Sequence, residues 1–244
     1  MLVEHNVIAR NNRLGFSGAW EAGATKFVKT RNLIVRHNCV HHNIGPGLWL
    51  DIDNVDALIE HNVVFENDRA GIVNEISGRA EIRDNVVARN GYRKDNWLWN
   101  AQILVANSRE TTVERNIVVV AREGGHGIAV IQQKRGAGGI GAYNSQRNVV
   151  RQNVIADFSS GGLSGAIASD ELEELNRGAN RFDENRYIVA SSANRHWAWN
   201  GYRLDWQGMR EAGQEANGQV VEDLDEARRT LADAIDPVCR APES

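Results

Sequence analysis

Proline is nearly missing from this 244-residue chain, which has 3, and cysteine is limited to Cys39 and Cys239. Two cysteines cannot by themselves build a disulfide framework or a structural zinc site. No run of 18 apolar residues occurs, so the sequence holds no membrane-spanning helix. Nor is charge of one sign concentrated: 28 Lys and Arg are scattered among 32 Asp and Glu, for a net charge of −4. That excludes the basic groove of a nucleic-acid binder and the cationic patch of a protein that docks on anionic membranes. Hydrophobic residues make 42% of the chain, enough for one large core or two small ones.

Asparagine is the residue in excess, at 25 copies. Its positions repeat. Seven segments share an apolar-x-x-Asn-apolar-apolar frame: VEHNVI (3–8), VRHNCV (35–40), IEHNVV (59–64), IRDNVV (82–87), VERNIV (113–118), VRQNVI (150–155) and FDENRY (182–187). The asparagines are Asn6, Asn38, Asn62, Asn85, Asn116, Asn153 and Asn185. In the first four copies a second follows five residues later, as Asn11, Asn43, Asn67 and Asn90. Short Val- and Ile-rich runs alternating with polar residues have the period of strands, and a repeat of 20 to 40 residues marks a stacked solenoid. The Leu-x-x-Leu-x-Leu frame of a leucine-rich horseshoe is absent, and the 23- and 24-residue spacings are too short for a propeller blade. One coil of three short parallel strands fits them.

The reading is an all-β, single-stranded, right-handed parallel β-helix of about seven rungs over 1–218, with a short capping helix and tail over 219–244. Leu224, Ala227, Leu231 and Ile235 have helical spacing there, and 170–178 reads as a charged turn insertion. The first copy starts at Val3, which implies either a longer parent helix with further rungs before it or a misplaced start. The repeated asparagines then need no catalytic role. An inward amide satisfies turn backbone and bonds the next asparagine one rung away, and Asn tolerates the left-handed backbone of such turns. Cys39, where other copies have Val or Ile, reads as a buried apolar thiol.

The chain resembles the uncharacterised right-handed parallel β-helix proteins of the pectate-lyase-like superfamily. The resemblance rests on EAGATKFVKT (21–30), GPGLWLDIDN (45–54), GIVNEIS (71–77), ILVANS (103–108), IQQKRG (131–136) and the closing HWAWNGYRLDWQGMREAGQEANG (196–218). It implies the fold and a link to polysaccharides. The superfamily includes lyases, hydrolases, epimerases and non-catalytic proteins, so it implies no catalytic residue. It also implies an exported parent, although this chain shows no signal peptide.

Aligning rungs on their asparagines sets GLWLDID (47–53) beside GIVNEIS (71–77). Leu48, Leu50 and Ile52 then point inward with Ile72, Asn74 and Ile76. Trp49, Asp51 and Asp53 point outward with Val73, Glu75 and Ser77. Asp51 and Glu75 fall on adjacent strands, about 5 Å apart at the backbone. Three acids in one patch require a protonated member or a cation between them. Either outcome has a chemical use. An unequal carboxyl pair suits glycoside hydrolysis. A calcium ion held by Asp51, Asp53 and Glu75 would instead neutralise a uronic acid for proton abstraction by Lys26, or by Lys134 or Arg135. A bare solvated sheet face is the plain alternative. No other cofactor is implied.

Trp49 reads as an exposed platform for a sugar ring. Trp20, Trp97 and Trp99 fall in turn insertions that could wall a groove, while Trp197, Trp199 and Trp206 pack the C-terminal end. Gln132 and Gln133 follow a buried-strand pattern, so one faces in; Gln133 and Arg135 are further contacts for sugar. His5, His37 and His61 form an outward ladder, and His126 opens another rung after Gly124 and Gly125. The glycines of RGAGGIGAYNS, with no helix after them, make no phosphate-binding fingerprint. The sequence therefore points to a monomeric protein of poly- or oligosaccharides. Enzyme (lyase, epimerase or hydrolase), non-catalytic binding protein and inactive fragment all stay open.

Overall fold

The computed structural model describes residues 1–17, 21–92, 99–226, 228–229 and 239. Each coil passes through three parallel sheets. The first runs from Leu2–Glu4 to Arg181–Asp183 in seven strands, and the second from Val7–Ala9 to Gln219–Val221 in eight. The third runs from Phe27–Val28 through Leu48–Asp51, Ile72–Glu75, Ala101–Ala106, His126–Gln132 and Ser164–Ala168 to Trp197–Trp199. There the antiparallel strand Tyr202–Leu204 turns back on it. The chain is a right-handed parallel β-helix.

The turn between the first two sheets explains the asparagines. Asn116 accepts from the backbone N–H and side-chain amide of Asn85 on its Oδ1, both at 3.0 Å. Its own amide donates to Asn153 Oδ1 at 2.9 Å and to the Ile82 and Glu114 carbonyls. The same arrangement links Asn6 to Asn38 and Asn153 to Asn185. A second ladder links Asn11, Asn43, Asn67 and Asn90 and ends on Gln102. One correction concerns the backbone. The left-handed conformation belongs to the residue before each ladder asparagine, with φ of 57° at His5, 53° at His37 and His61, 54° at Asp84 and 53° at Arg115. That residue is outside the ladder and varies freely. His5, His37 and His61 consequently stack on the surface with ring centroids 5.1 and 5.2 Å apart.

The first ladder closes on a residue of another type. Asn185 donates its amide to Glu215 Oε1 at 2.8 Å, Tyr187 Oη donates to the same oxygen at 2.7 Å, and the Asn185 N–H donates to Oε2. Trp197, Trp206, Phe182 and Met209 pack beside it, under the short helix Trp206–Glu211. A second helix, Leu172–Arg177, occupies the charged insertion. Residues 224–226, 228 and 229 are helical; Ala227, Leu231 and Ile235 lie outside the described residues. The strand Gln219–Val221 extends the second sheet past residue 218.

Cys39 is buried, but it is no free thiol: it forms a disulfide with Cys239, 200 residues away, tying the tail back to an early rung. Inside the coil Leu48, Leu50, Ile72, Ile103, Val105, Ile128 and Val130 form the core. The outer face of the third sheet carries a separate apolar cluster that includes Trp49, Val73, Leu104, Ala129 and Ile131. Apolar side chains at alternate positions thus line both faces of this sheet, and the outer cluster is the floor of the cavity described next.

Candidate functional site

Register places the acid pair. Leu48 pairs with Ile72, Trp49 with Val73, Leu50 with Asn74 and Asp51 with Glu75. The preceding rung pairs Phe27 with Leu50 and Val28 with Asp51, which turns Lys26 to the outer face beside Trp49. These side chains line a cavity of about 370 Å³ with Arg69, Leu104, Trp99 and Arg135. That is the low end of the ligand-pocket range, roughly 300–1,000 Å³, and fits a small molecule rather than a long polymer groove.

The charges interlock. Lys26 Nζ lies 2.7 Å from Asp51 Oδ2 and 3.3 Å from Glu21 Oε1, and 4.1 Å from the centre of the Trp49 ring. Arg135 donates to Glu75 Oε1 at 2.6 Å, and Trp49 Nε1 donates to Glu75 Oε2 at 3.2 Å. Asp51 Oδ1 is buried and has no hydrogen-bond partner among the described residues. Burial raises the pKa of Glu75 above the ordinary carboxyl value, the charge of Asp51 adds to this, and Arg135, Trp49 and Lys26 oppose it. For Lys26, burial pulls the pKa down. The hydrogen bond and charge of Asp51, then those of Glu21, outweigh it and hold the amine above its usual value. Lys26 therefore keeps its proton and is a cation in the site, not a base.

The structure brings together Asp51, Glu75, Lys26, Trp49, Trp99 and Arg135. Trp49 is only 8% exposed and covered by Lys26, so it is no open platform; half-buried Trp99 is the more accessible ring. Asp53 departs from the patch. The strand ends at Asp51, and Ile52 and Asp53 both take positive φ, so alternation stops two residues earlier than the sequence pattern implies. Asp53 instead accepts from Gly139 N at 2.9 Å, Ile140 N at 3.2 Å and Tyr143 Oη at 3.0 Å. Asp53 is thereby drawn away from Asp51 and Glu75, and the three carboxylates do not gather as a shared calcium site would need. Among the described residues no three His, Cys, Asp or Glu side chains surround a common point, and Lys26 and Arg135 supply the positive charge the acids require.

Gln133 also lies apart, donating to Ser169 Oγ at 3.3 Å, while Gln132 is the inward member of that pair. Trp20 and Trp97 lie outside the described residues. Tyr143 had no sequence signal, because its partner lies 90 residues earlier and three rungs back.

The family model for the right-handed β-helix region matches residues 1–118. Among solved structures, a mutant DFA-IIIase from Arthrobacter chlorophenolicus in complex with DFA-III is similar at 12% identity and a TM-score of 0.41. The match covers 79% of this chain and 50% of that one, so this chain spans half the length of that enzyme. No curated protein matches. With three stacked parallel sheets joined by asparagine ladders, this chain has the fold of a right-handed parallel β-helix, and the family model accounts for its first 118 residues.

Proposed function

We propose that the cavity binds a short carbohydrate and cleaves or transfers a glycosidic bond, with Glu75 as proton donor and Asp51 as its carboxylate partner. The observation that carries this reading is the different surroundings of two register-paired acids. Glu75 is buried with its pKa raised, while Asp51 Oδ1 is a buried oxygen with no partner among the described residues. Unpaired buried oxygens are costly and call for an explanation. A carboxyl pair whose environments differ is the arrangement that glycoside chemistry uses. In the proposed step Glu75 gives its proton to the departing glycosidic oxygen as that C–O bond breaks. Asp51 Oδ1 attacks the anomeric carbon or takes a proton from the water that does. Lys26 and Arg135 orient the two carboxyls, and Trp99 offers a ring face for the sugar.

Elimination chemistry is the weaker form of the idea, because it needs a neutral base and Lys26 is held protonated. Binding without cleavage is the second reading. It is favoured by the engagement of both Glu75 oxygens and Asp51 Oδ2 in ion pairs or hydrogen bonds. The test is a screen of oligosaccharides for reducing-end release by wild type, Glu75→Gln and Asp51→Asn. Activity lost in both variants, with ligand binding kept, supports the enzyme. Binding without turnover in all three leaves the binding reading, and neither binding nor turnover removes both.

A further inference from the structure

A second cavity, of about 400 Å³, lies at the opposite end of the same strands. Its row begins at His126, five positions before Ile131, which shares a row with Glu75 through Ala106. At strand rise that is about 17 Å. Arg122, from the turn after Ile117–Val120, and Arg203, from the terminal hairpin, both line it. Many arginines here, among them Arg36, Arg79, Arg83, Arg89, Arg115, Arg147 and Arg151, are bridged to a carboxylate. Arg122 and Arg203 have no such partner among the described residues, yet two separate segments bring them to one hollow.

His126 supplies a third donor. Its Nδ1 accepts the backbone N–H of Leu163 at 3.1 Å, which leaves the proton of the neutral ring on Nε2. Burial, opposed by Asp157 and aided by Arg203, lowers its pKa to about 4, so the ring stays neutral near pH 7. Asp157 itself is spent. Its Oδ1 accepts from Ser159 N at 2.8 Å and Ser159 Oγ at 2.6 Å, and its Oδ2 faces His196 Nδ1 at 3.1 Å. Glu123 is the one acid among the described lining residues, exposed on the rim toward the neighbouring hollow of Glu66 and Arg89. Gly124 and Gly161 leave the mouth open, with nothing within 4 Å of where a Cβ would stand.

We infer that Arg122, Arg203 and His126 form a second binding site, for a small oxyanionic group, separate from the acid cavity. Two forked guanidiniums and an imidazole N–H offer only donors, the complement of a carboxylate, sulfate or phosphate ester. The inference goes beyond the glycosidic reading and does not depend on it.

Calorimetric titration of the full chain with sodium sulfate and with sodium acetate, at an ionic strength held constant with sodium chloride, tests the site. The two arms separate a tetrahedral oxyanion from a planar carboxylate. Saturable binding of at least one anion is expected, weakened at least tenfold by Arg122→Gln/Arg203→Gln and unchanged by Glu75→Gln. The ¹⁵N resonance of His126 Nε2 should move with the same saturation curve. No saturable binding of either anion overturns the inference, as does equal affinity in the double variant. A changed affinity in Glu75→Gln, which frees Arg135, would place the anion in the acid cavity and overturn it as well.

Discussion

Tyr143 Oη donates to Asp53 Oδ1 at 3.0 Å, joining residues 90 apart in sequence and three rungs apart in the coil. With the Gly139 and Ile140 N–H groups, it pins a small hairpin, Ala137–Gly138 and Gly141–Ala142, back across the turn between the third and first sheets, beside Gly78 and Arg109. The approach is close: a Cβ on Gly138 would meet Tyr143 Oη at 1.6 Å. The hairpin follows directly on Arg135, which reaches Glu75. On the function proposed above, Asp53 acts as a positioning residue for the cavity. Asp53→Ala should loosen the strap, speed proteolytic nicking within 136–142 and weaken oligosaccharide binding about tenfold through loss of charge-assisted hydrogen bonds. The KM should rise more than kcat falls, and Tyr143→Phe should show a smaller form of the same change. Burial works against ionisation of Asp53, but the Gly139, Tyr143 and Ile140 hydrogen bonds prevail and lower its pKa from 3.8. The strap is therefore intact above 3.8 and lost as pH falls through the lower folded-state value. Unchanged nicking and KM in Asp53→Ala would refute the positioning role.

The acid pair makes its own pH prediction. If protonated Glu75 is the donor, turnover falls as pH rises through its raised pKa. Arg135 and Lys26 both lower that pKa, so Arg135→Gln should carry the descending limb to higher pH. Glu75→Gln should cost about 10²–10⁴ in rate. A limb that stays put in Arg135→Gln would take the proton-donor role from Glu75.

The ladder predicts a contrast between equivalent asparagines. Asn116→Ala strips acceptors from two Asn85 donors and donors from the Ile82 and Glu114 carbonyls, all within the coil. The expected loss is about 3 kcal/mol or more in urea unfolding, since each buried unpaired group costs ~1–3 kcal/mol. Asn6→Ala, at the exposed first rung, should cost under about 1 kcal/mol. Equal losses would mean that the ladder does not act through buried pairing.

Glu215, at the far end of that ladder, titrates where few carboxyls do. Burial raises its pKa to about 7, against the hydrogen bonds from Asn185 and Tyr187. Between 4.5 and about 7 the folded state holds a proton that the unfolded chain has lost. Its stabilising share is therefore complete below 4.5 and fades as pH rises through 7. The decline should reach about 3 kcal/mol by pH 8. Glu215→Gln should flatten it, as followed by Tm across pH 4.5 to 8.

Much of this was legible in the sequence because a solenoid makes long-range contacts periodic. The spacing of Asn6 through Asn185 located the ladder, and the ladder fixed the register that sets Asp51 beside Glu75. Alternation then separated the inward Leu48 and Leu50 from the outward Trp49 and Asp51. What the periodicity could not convey is where insertions fold. Asp53 left the acid patch because the backbone turned left-handed at Ile52, and its new partners came from a hairpin three rungs away. Arg135 reached Glu75, and Arg122 and Arg203 came to line one hollow, by the same aperiodic route. The disulfide of Cys39 with Cys239 spans 200 residues, and neither partner belongs to a pattern that names the other. Strand pairing between neighbouring rungs is dictated by a repeating local frame. Contacts made by turn insertions depend on how each loop lies across the finished coil, and only the tertiary structure decides that.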